Sequence, residues 1–298
     1  MGVTLGGRLA ALAYSAWHAL AFARIPGNLL AYAARQALRW SRGRPELWQE
    51  PKTSLFDYLG PAAAAGEARA ADLSARYRLE GLERLSTASL YRKNLYLLDI
   101  LEKAAEGLAG FPSRPEGIFR AADVGSQDWH YVYGLERWLR HWGSPGGREV
   151  ELTGIEVDGH GVYADLHSRR DYAEAYAEQT GNPHVRYEVG DFLRTRLSGL
   201  DLVTVFYPFV TRYALLLWGL PLHLFSPVRL VAKAAEVTRP GGWLMVFNHT
   251  AEEHRLFLEL GRASAQWELL REGRALSDLV DFHAAVEDRR FSIWRRRK

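Results

Sequence analysis

The chain of 298 residues contains no cysteine. Disulfide bridges, thiolate zinc sites, iron–sulfur clusters and cysteine nucleophiles are therefore all excluded. A reducing compartment is compatible with this absence.

Three motifs of common enzyme classes are also missing. The sequence has no Gly-x4-Gly-Lys-Ser/Thr run, which a P-loop requires, and no Gly-x-Ser-x-Gly elbow, which a lipase-type serine hydrolase requires. The dinucleotide fingerprint G-x-G-x-x-G is absent as well, since Gly125 is followed by Gln127 and His130. A nicotinamide dinucleotide is therefore disfavoured as the ligand.

Neither sign of charge dominates the chain, which has 38 Lys and Arg against 35 Asp and Glu, a net charge of +3. The clearest basic cluster is residues 295–298, a terminal run typical of a solvated tail. We therefore do not expect a nucleic acid partner. No metal is expected either, because neither His249 with His254 nor His160 with His167 completes a recognisable ligand set with the neighbouring acids.

The N-terminal residues are apolar and leave three interpretations open. Residues 9–23 form an apolar run of 15 residues, shorter than the ~20 residues that span a bilayer. A second apolar helix is predicted over residues 28–40. The two helices pack on the rest of the chain or on a second copy in a homodimer, which we favour. Alternatively they lie in a membrane interface, with aromatic side chains at headgroup level, or residues 1–23 form a cleaved signal peptide. The aromatic residues concerned are Tyr14, Trp17, Tyr32 and Trp40.

The sequence pattern then changes at two points along the chain. Residues 41–66 contain three prolines and read as a connector, and residues 72–107 show a helical apolar pattern. Beyond residue 117, short apolar segments alternate with helical ones, which is typical of a parallel sheet with crossover helices. We predict a helical N-terminal region over residues 1–110 and an α/β domain with a Rossmann-like, seven-stranded, mostly parallel sheet over 111–298. The predicted strands are 118–124, 149–156, 185–189, 200–206, 243–247, 267–271 and 291–294, and the predicted helices are 129–140, 160–179, 227–237 and 251–264.

Ligands of such sheets bind at the carboxyl ends of the strands. Gly125 follows the first predicted strand and allows a tight turn close to a ligand. Glu156 ends the second strand and is suited to accept both ribose hydroxyls, and Asp191 follows the third and is suited to accept from an adenine amino group. Residues 240–242, Pro-Gly-Gly, lead into the fifth strand.

This order of signals resembles the class I S-adenosylmethionine-dependent methyltransferases over residues 117–298, and is most similar to divergent bacterial members. The resemblance implies S-adenosylmethionine as cofactor and methyl transfer as activity. It implies cofactor-binding roles for residues of the first loop and of the next two strand ends, namely Asp123, Gly125, Ser126, Gln127, Glu156 and Asp191. The chain departs from the family pattern where Gln127 and Trp129 replace two glycines of that loop. A catalytically inactive scaffold that keeps the sheet without the cofactor is therefore the alternative.

The methyl acceptor is less well specified. Tyr207 and His249 follow the fourth and fifth predicted strands and are the candidate catalytic residues, as positioning group or general base. Residues 211–227 are unusually apolar for a surface crossover. They form a lid over an apolar acceptor, a dimer face, or the dock for the N-terminal helices, which we favour slightly. We therefore expect a cytoplasmic methyltransferase of a small, apolar or lipid-like acceptor, with peripheral membrane contact through the N-terminal helices as a further hypothesis.

Overall fold

The computed structural model describes residues 21–112, 117–144, 146–279 and 288–298. Its centre is one seven-stranded sheet with the strand order β3-β2-β1-β4-β5-β7-β6. Neighbours from β3 to β5 are parallel, and β7 runs antiparallel to both β5 and β6. The strands are β1 (Phe119–Val124), β2 (Val150–Glu156), β3 (Val185–Val189), β4 (Leu200–Phe206), β5 (Thr238–Asn248), β6 (Trp267–Arg274) and β7 (Arg290–Arg296). The predicted fold class is confirmed.

Nine α-helices have bounds within the described residues. They are α1 (Ile25–Leu38), α2 (Ala63–Tyr77), α3 (Glu80–Leu85), α4 (Ala88–Ala105), α5 (Val132–His141), α6 (Arg169–Gln179), α7 (Arg212–Leu217), α8 (Pro227–Val237) and α9 (Ala251–Ala263). Short 3-10 turns cover Asp57–Ala62, Phe192–Arg194 and Leu222–Leu224. The predicted helical stretch over residues 72–107 is thus three helices, α2 to α4.

The sheet is covered on both faces. All seven residues of β4 are buried, as expected for a central parallel strand with helices on either side. On one face, Leu98 and Leu101 of α4 belong to the same apolar cluster as Trp138 of α5 and Trp243 of β5. On the other face, α8 and α9 pack against β4 and β5. The apolar core therefore runs continuously from the helical N-terminal region into the sheet, and the division at residue 110 stays a prediction.

Two predicted helices begin later than the sequence pattern indicated. Residues 160–168, predicted as helix, form a loop closed by a single β-bridge between Val162 and Ser168. The helix α6 starts only after Ser168, whose hydroxyl accepts the Asp171 N–H at 3.1 Å while the Asp171 carboxylate accepts the Ser168 N–H at 2.8 Å. This reciprocal cap fixes the helix start. The helix α5 begins at Val132 instead of residue 129, because the turn after β1 is longer than predicted.

The helix α1 packs on the apolar segment between β4 and β5. The buried Asn28 side chain donates to the carbonyl oxygens of Leu216 at 2.9 Å and Leu220 at 3.2 Å. This contact confirms that residues 211–227 serve as a dock for an N-terminal helix. Most of the apolar run over residues 9–23, and with it the signal-peptide hypothesis, lies outside the described residues. Among the helices that are described, none combines the length and the apolarity needed to cross a membrane.

Candidate functional site

The ends of β1, β2 and β3 meet at one edge of the sheet. After β1, the Gly125 N–H donates to the Ile155 carbonyl oxygen at 2.9 Å, and after β3 the Gly190 N–H donates to the Glu156 carbonyl oxygen at 2.9 Å. The loops that follow the outer strands of this trio are therefore both anchored on the end of β2. The structure thus brings Gly125, Glu156 and Asp191 together, as their positions in the sequence predicted.

The loop after β1 keeps a glycine-like backbone although two of its expected glycines are replaced. The φ angles are +76° at Gly125, +58° at Gln127 and +54° at Trp129. Positive φ is uncommon for a residue with a side chain, and it is an outlier for a bulky one. Such strain is held only where the surroundings fix it, and it is concentrated at functional sites.

The surroundings that fix Trp129 are a glycine and a carboxylate. The indole is fully buried and lies on Gly154 of β2, where a Cβ would come within 2.7 Å of the ring. Its N–H donates to the Asp123 carboxylate at 2.9 Å. The ring thus packs on β2 two residues before the end of that strand.

The Asp123 carboxylate is hydrogen-bonded by side chains of the protein. It also accepts from the Thr204 hydroxyl at 2.6 Å and the Tyr131 hydroxyl at 2.8 Å, so three donors surround a fully buried group. Burial raises the pKa of Asp123 to about 6, although the three hydrogen bonds oppose the shift. The carboxylate ties the loop after β1 to β4.

Glu156 holds the next turn of the same loop. Its two carboxylate oxygens accept the Gln127 N–H at 3.0 Å and the Asp158 N–H at 2.8 Å, and burial raises its pKa. Each carboxylate oxygen can accept a second hydrogen bond, so capacity for a ligand remains. Asp191 is half-buried, and its carboxylate accepts the Leu193 N–H at 2.9 Å.

Two buried side chains at the strand ends stay unpaired within the described part of the chain. They are the Ser126 hydroxyl, in the loop after β1, and the Asn248 amide, at the end of β5. Since buried polar groups are almost always hydrogen-bonded, such orphans need an explanation, and a bound ligand is one.

Asp128, in the loop after β1, joins two loops of the site, a contact that the sequence did not predict. Its carboxylate contacts the His130 ring Nδ1 at 2.7 Å and accepts the Tyr163 hydroxyl at 2.9 Å. Burial would raise the pKa of this carboxyl, but the two partners lower it to about 2. The loop after β1 is thereby attached to the loop over residues 160–168.

The helix α1 covers the end of β2, which the sequence analysis did not foresee. The Gln36 side chain donates to the Val157 carbonyl oxygen at 3.1 Å, and the Arg35 guanidinium contacts the Asp158 carboxylate at 2.7 Å. Burial raises the pKa of Tyr32, and so do the carboxylates of Asp158, Asp191 and Glu156, in that order. The Tyr32 hydroxyl therefore lies in the field of the strand-end carboxylates. A signal was present, because Asn28, Tyr32, Arg35 and Gln36 repeat with helical spacing in an otherwise apolar segment.

The candidate catalytic pair is also brought together. The rings of Tyr207 and His249 stack with centroids 3.8 Å apart and planes 11° from parallel. The Arg289 guanidinium lies 5.4 Å from the Tyr207 centroid and donates to the Tyr96 hydroxyl at 2.8 Å. Partial burial of the ring, together with Arg289, lowers the pKa of His249 to about 4. The imidazole is therefore neutral at physiological pH and is a weaker proton acceptor than an ordinary histidine.

No protein-family model and no curated protein matches the chain. Solved structures do resemble it. TrmN from Thermus thermophilus is 14% identical, with 68% of this chain and 48% of TrmN covered and a TM-score of 0.44. A SAM-dependent methyltransferase from Aquifex aeolicus is 12% identical, with 68% and 92% covered and a TM-score of 0.43. A geranyl diphosphate C-methyltransferase from Streptomyces coelicolor A3(2) is 12% identical, with 69% and 77% covered and a TM-score of 0.45.

The chain thus spans about half the length of TrmN, with 48% of that protein covered.

Proposed function

We propose that the chain is an S-adenosylmethionine-dependent methyltransferase that acts on a small apolar or lipid-like acceptor. The observation that carries the proposal is the convergence of the Gly125 loop, Glu156 and Asp191 at one sheet edge, beside the unpaired Ser126 hydroxyl. Each of these groups suits one part of a nucleoside ligand.

The chemistry of the edge fits this cofactor. Glu156 and Asp191 are acceptors for ribose hydroxyls and an adenine amino group, and Gly190, between them, leaves space at its Cα. The unpaired Ser126 hydroxyl would hold the amino-acid end of the cofactor. The Gln127 N–H would act through Glu156, because it donates to that carboxylate. Asp123 would act indirectly, since its hydrogen bonds position the loop.

S-adenosylmethionine supplies an electrophilic methyl group on a sulfonium sulfur. The protein then has to orient the acceptor and remove its proton. We assign positioning of the acceptor to Tyr207, whose ring is fixed by the stack with His249, and proton removal to the neutral imidazole of His249. The strand residues that lead into this pair are apolar, since the buried rings of Phe206 and Phe247 stack with centroids 5.2 Å apart.

The first test is calorimetric titration with S-adenosylmethionine and S-adenosylhomocysteine. Glu156→Gln should weaken binding by at least tenfold, since a buried carboxylate that bonds a ligand contributes ~1.5–3 kcal/mol. Glu188→Gln is the matched control, because that carboxylate lies on β3 with its side chain 46% exposed. Equal affinities of the two variants, both folded, would refute the proposed cofactor site. Transfer from tritiated S-adenosylmethionine to a lipid extract, with Glu156→Gln as blank, then tests the acceptor class.

A second candidate is an inactive scaffold. It is favoured because groups of the protein already donate hydrogen bonds to the carboxylates at the strand ends. Asp123 accepts three such bonds and Glu156 accepts two. This candidate predicts no binding of either ligand at millimolar concentration to folded protein. As a methyltransferase the protein would work in the cytoplasm, where nucleotide cofactors are found, as a monomer or a homodimer.

A further inference from the structure

The amphipathic helix α1 packs on the protein with its polar side and exposes its apolar side. A surface helix normally turns its apolar face to the core and its polar face to water. Here the polar Asn28, Arg35 and Gln36 face the protein and are hydrogen-bonded to it. The leucines point outward, and Leu30 and Leu38 are 71% and 77% exposed.

The outward leucines continue into neighbouring exposed apolar residues. The Trp40 indole is 49% exposed and donates to the Leu166 carbonyl oxygen at 2.8 Å, and Leu166 itself is 56% exposed. At the other end of the helix, the Arg24 guanidinium donates to the carbonyl oxygen of the half-exposed Leu217 at 3.4 Å. The α1 face is defined here as Phe22, Leu29, Leu30, Leu38, Trp40, Leu166 and Leu217. Exposed apolar side chains grouped in this way are typical of an interaction site.

Arginines flank this face, whose rim also carries one exposed carboxylate, that of Asp165 beside Leu166. Residues 1–45 contain six arginines and no aspartate, glutamate or lysine. Arg24, Arg39 and Arg42 are exposed at the two ends of α1. The buried carboxylate nearest the helix, Asp158, is neutralised by Arg35 at 2.7 Å and by Arg169 at 3.1 Å.

We propose that the α1 face docks on an anionic lipid bilayer. Apolar residues flanked by arginines match the acyl boundary and the anionic headgroups of such a surface. A second copy of the chain fits less well, since two α1 faces would bring arginines of the same sign together, which is costly across an interface. The docking does not depend on the proposed cofactor site. If both hold, the helix that contacts lipid is also the helix that covers the end of β2.

The experiment is co-sedimentation of the full chain with vesicles. One set consists of phosphatidylcholine alone, and the other contains about 30% phosphatidylglycerol. The test variants are Leu30→Glu and Leu38→Glu. The control is Leu276→Glu, which adds the same charge at an exposed leucine (54%) that follows the distant edge strand β6. All three positions are exposed, so the variants are expected to fold.

We expect binding to the anionic vesicles at least tenfold tighter than to phosphatidylcholine, weakened by salt. Each α1 variant should lose at least another tenfold, because the glutamate removes an apolar contact with the acyl boundary and is repelled by the anionic headgroups. Leu276→Glu should bind as the unmodified chain does. Absence of vesicle binding, or equal binding by all variants, would overturn the proposal.

Two other outcomes would also overturn it and name a different occupant. If sedimentation velocity shows a dimer that Leu30→Glu dissociates, without vesicle binding, the α1 face contacts a second copy. If Leu30→Glu lowers the melting temperature with no effect on vesicles or association, residues 9–20 of the same chain cover the face.

Discussion

The ring of His249 lies face to face on the ring of Tyr207, with 3.8 Å between their centroids. The two residues follow neighbouring parallel strands, β5 and β4. Tyr207 itself has a positive φ of +60°, and its N–H donates to the Phe247 carbonyl oxygen at 2.7 Å. The stack is therefore fixed from the backbone of both strands.

This arrangement predicts a histidine that stays neutral in mild acid. The pKa of His249 is lowered from 6.5 to about 4 by partial burial and by Arg289. Between these two pH values the unfolded chain binds a proton that the folded chain does not, so this group lowers stability as the pH falls through that window. In an NMR titration, the imidazole resonance that is missing in His249→Gln should not shift between pH 8 and about 5.5. A midpoint near the ordinary value would contradict the prediction.

Asp123 predicts a pH dependence of the opposite sign. Its pKa is raised from 3.8 to about 6 by burial, so between these values the folded chain holds a proton that the unfolded chain has lost. The stability that this group contributes is present in full below pH 3.8 and is lost as the pH rises through about 6, by up to roughly 3 kcal/mol.

Urea unfolding of the unmodified chain and of Asp123→Asn, each from pH 4 to 7, measures this effect. The difference between the two free energies of unfolding cancels the other titrating groups. We expect the free energy of unfolding of the unmodified chain to fall relative to that of Asp123→Asn as the pH rises. Asp201→Asn, at the other end of the parallel strands, is the control. A difference that is flat across the range would show that Asp123 is ionised throughout.

Gly154 and Trp129 should be coupled energetically. Gly154→Ala places a Cβ within 2.7 Å of a fully buried indole, and overpacking of this kind costs about 2 kcal/mol. Gly190→Ala, where nothing lies within 4 Å of the added Cβ, should leave the melting temperature unchanged. In the Gly154→Ala background, the smaller ring of Trp129→Phe should recover part of the loss, so that the two effects are non-additive. Simple additivity would refute the contact.

Asn28 predicts a local loss of stability. Its amide donates to two carbonyl oxygens at the α1 dock, so Asn28→Ala should weaken docking by about 1–3 kcal/mol. Hydrogen exchange over residues 25–38 should accelerate roughly tenfold or more, while the strands of the sheet keep their protection. Leu30→Ala, on the exposed side of the same helix, should change neither.

The strands could be predicted from the sequence where an apolar run lies between turn residues. The bounds of β3, β4 and α8 agree with the predicted ones. The prediction failed over residues 160–168 because apolar residues in a loop imitated a helical pattern. The Ser-x-x-Asp spacing of Ser168 and Asp171 was the available signal for the true helix start.

The candidate site was readable only in part. Strand-end position was enough to bring Gly125, Glu156 and Asp191 together, because parallel strands end at one edge. The direction of the Trp129 side chain was not readable, since it depends on the space above Gly154 on another strand. The packing of α1 could not be predicted either, because this helix buries its polar side, whereas surface helices usually bury the apolar side.

The packing of Trp129 on Gly154 also gives a rule for finding relatives of this chain. A search that requires the glycine-rich form of the loop after β1 would pass over any sequence that carries tryptophan there. In this chain the loop fits because the strand beneath it has no side chain at the facing position, Gly154. Tryptophan at the position of residue 129 and glycine at that of residue 154 should therefore be inherited together, as a two-position signature that replaces the glycines.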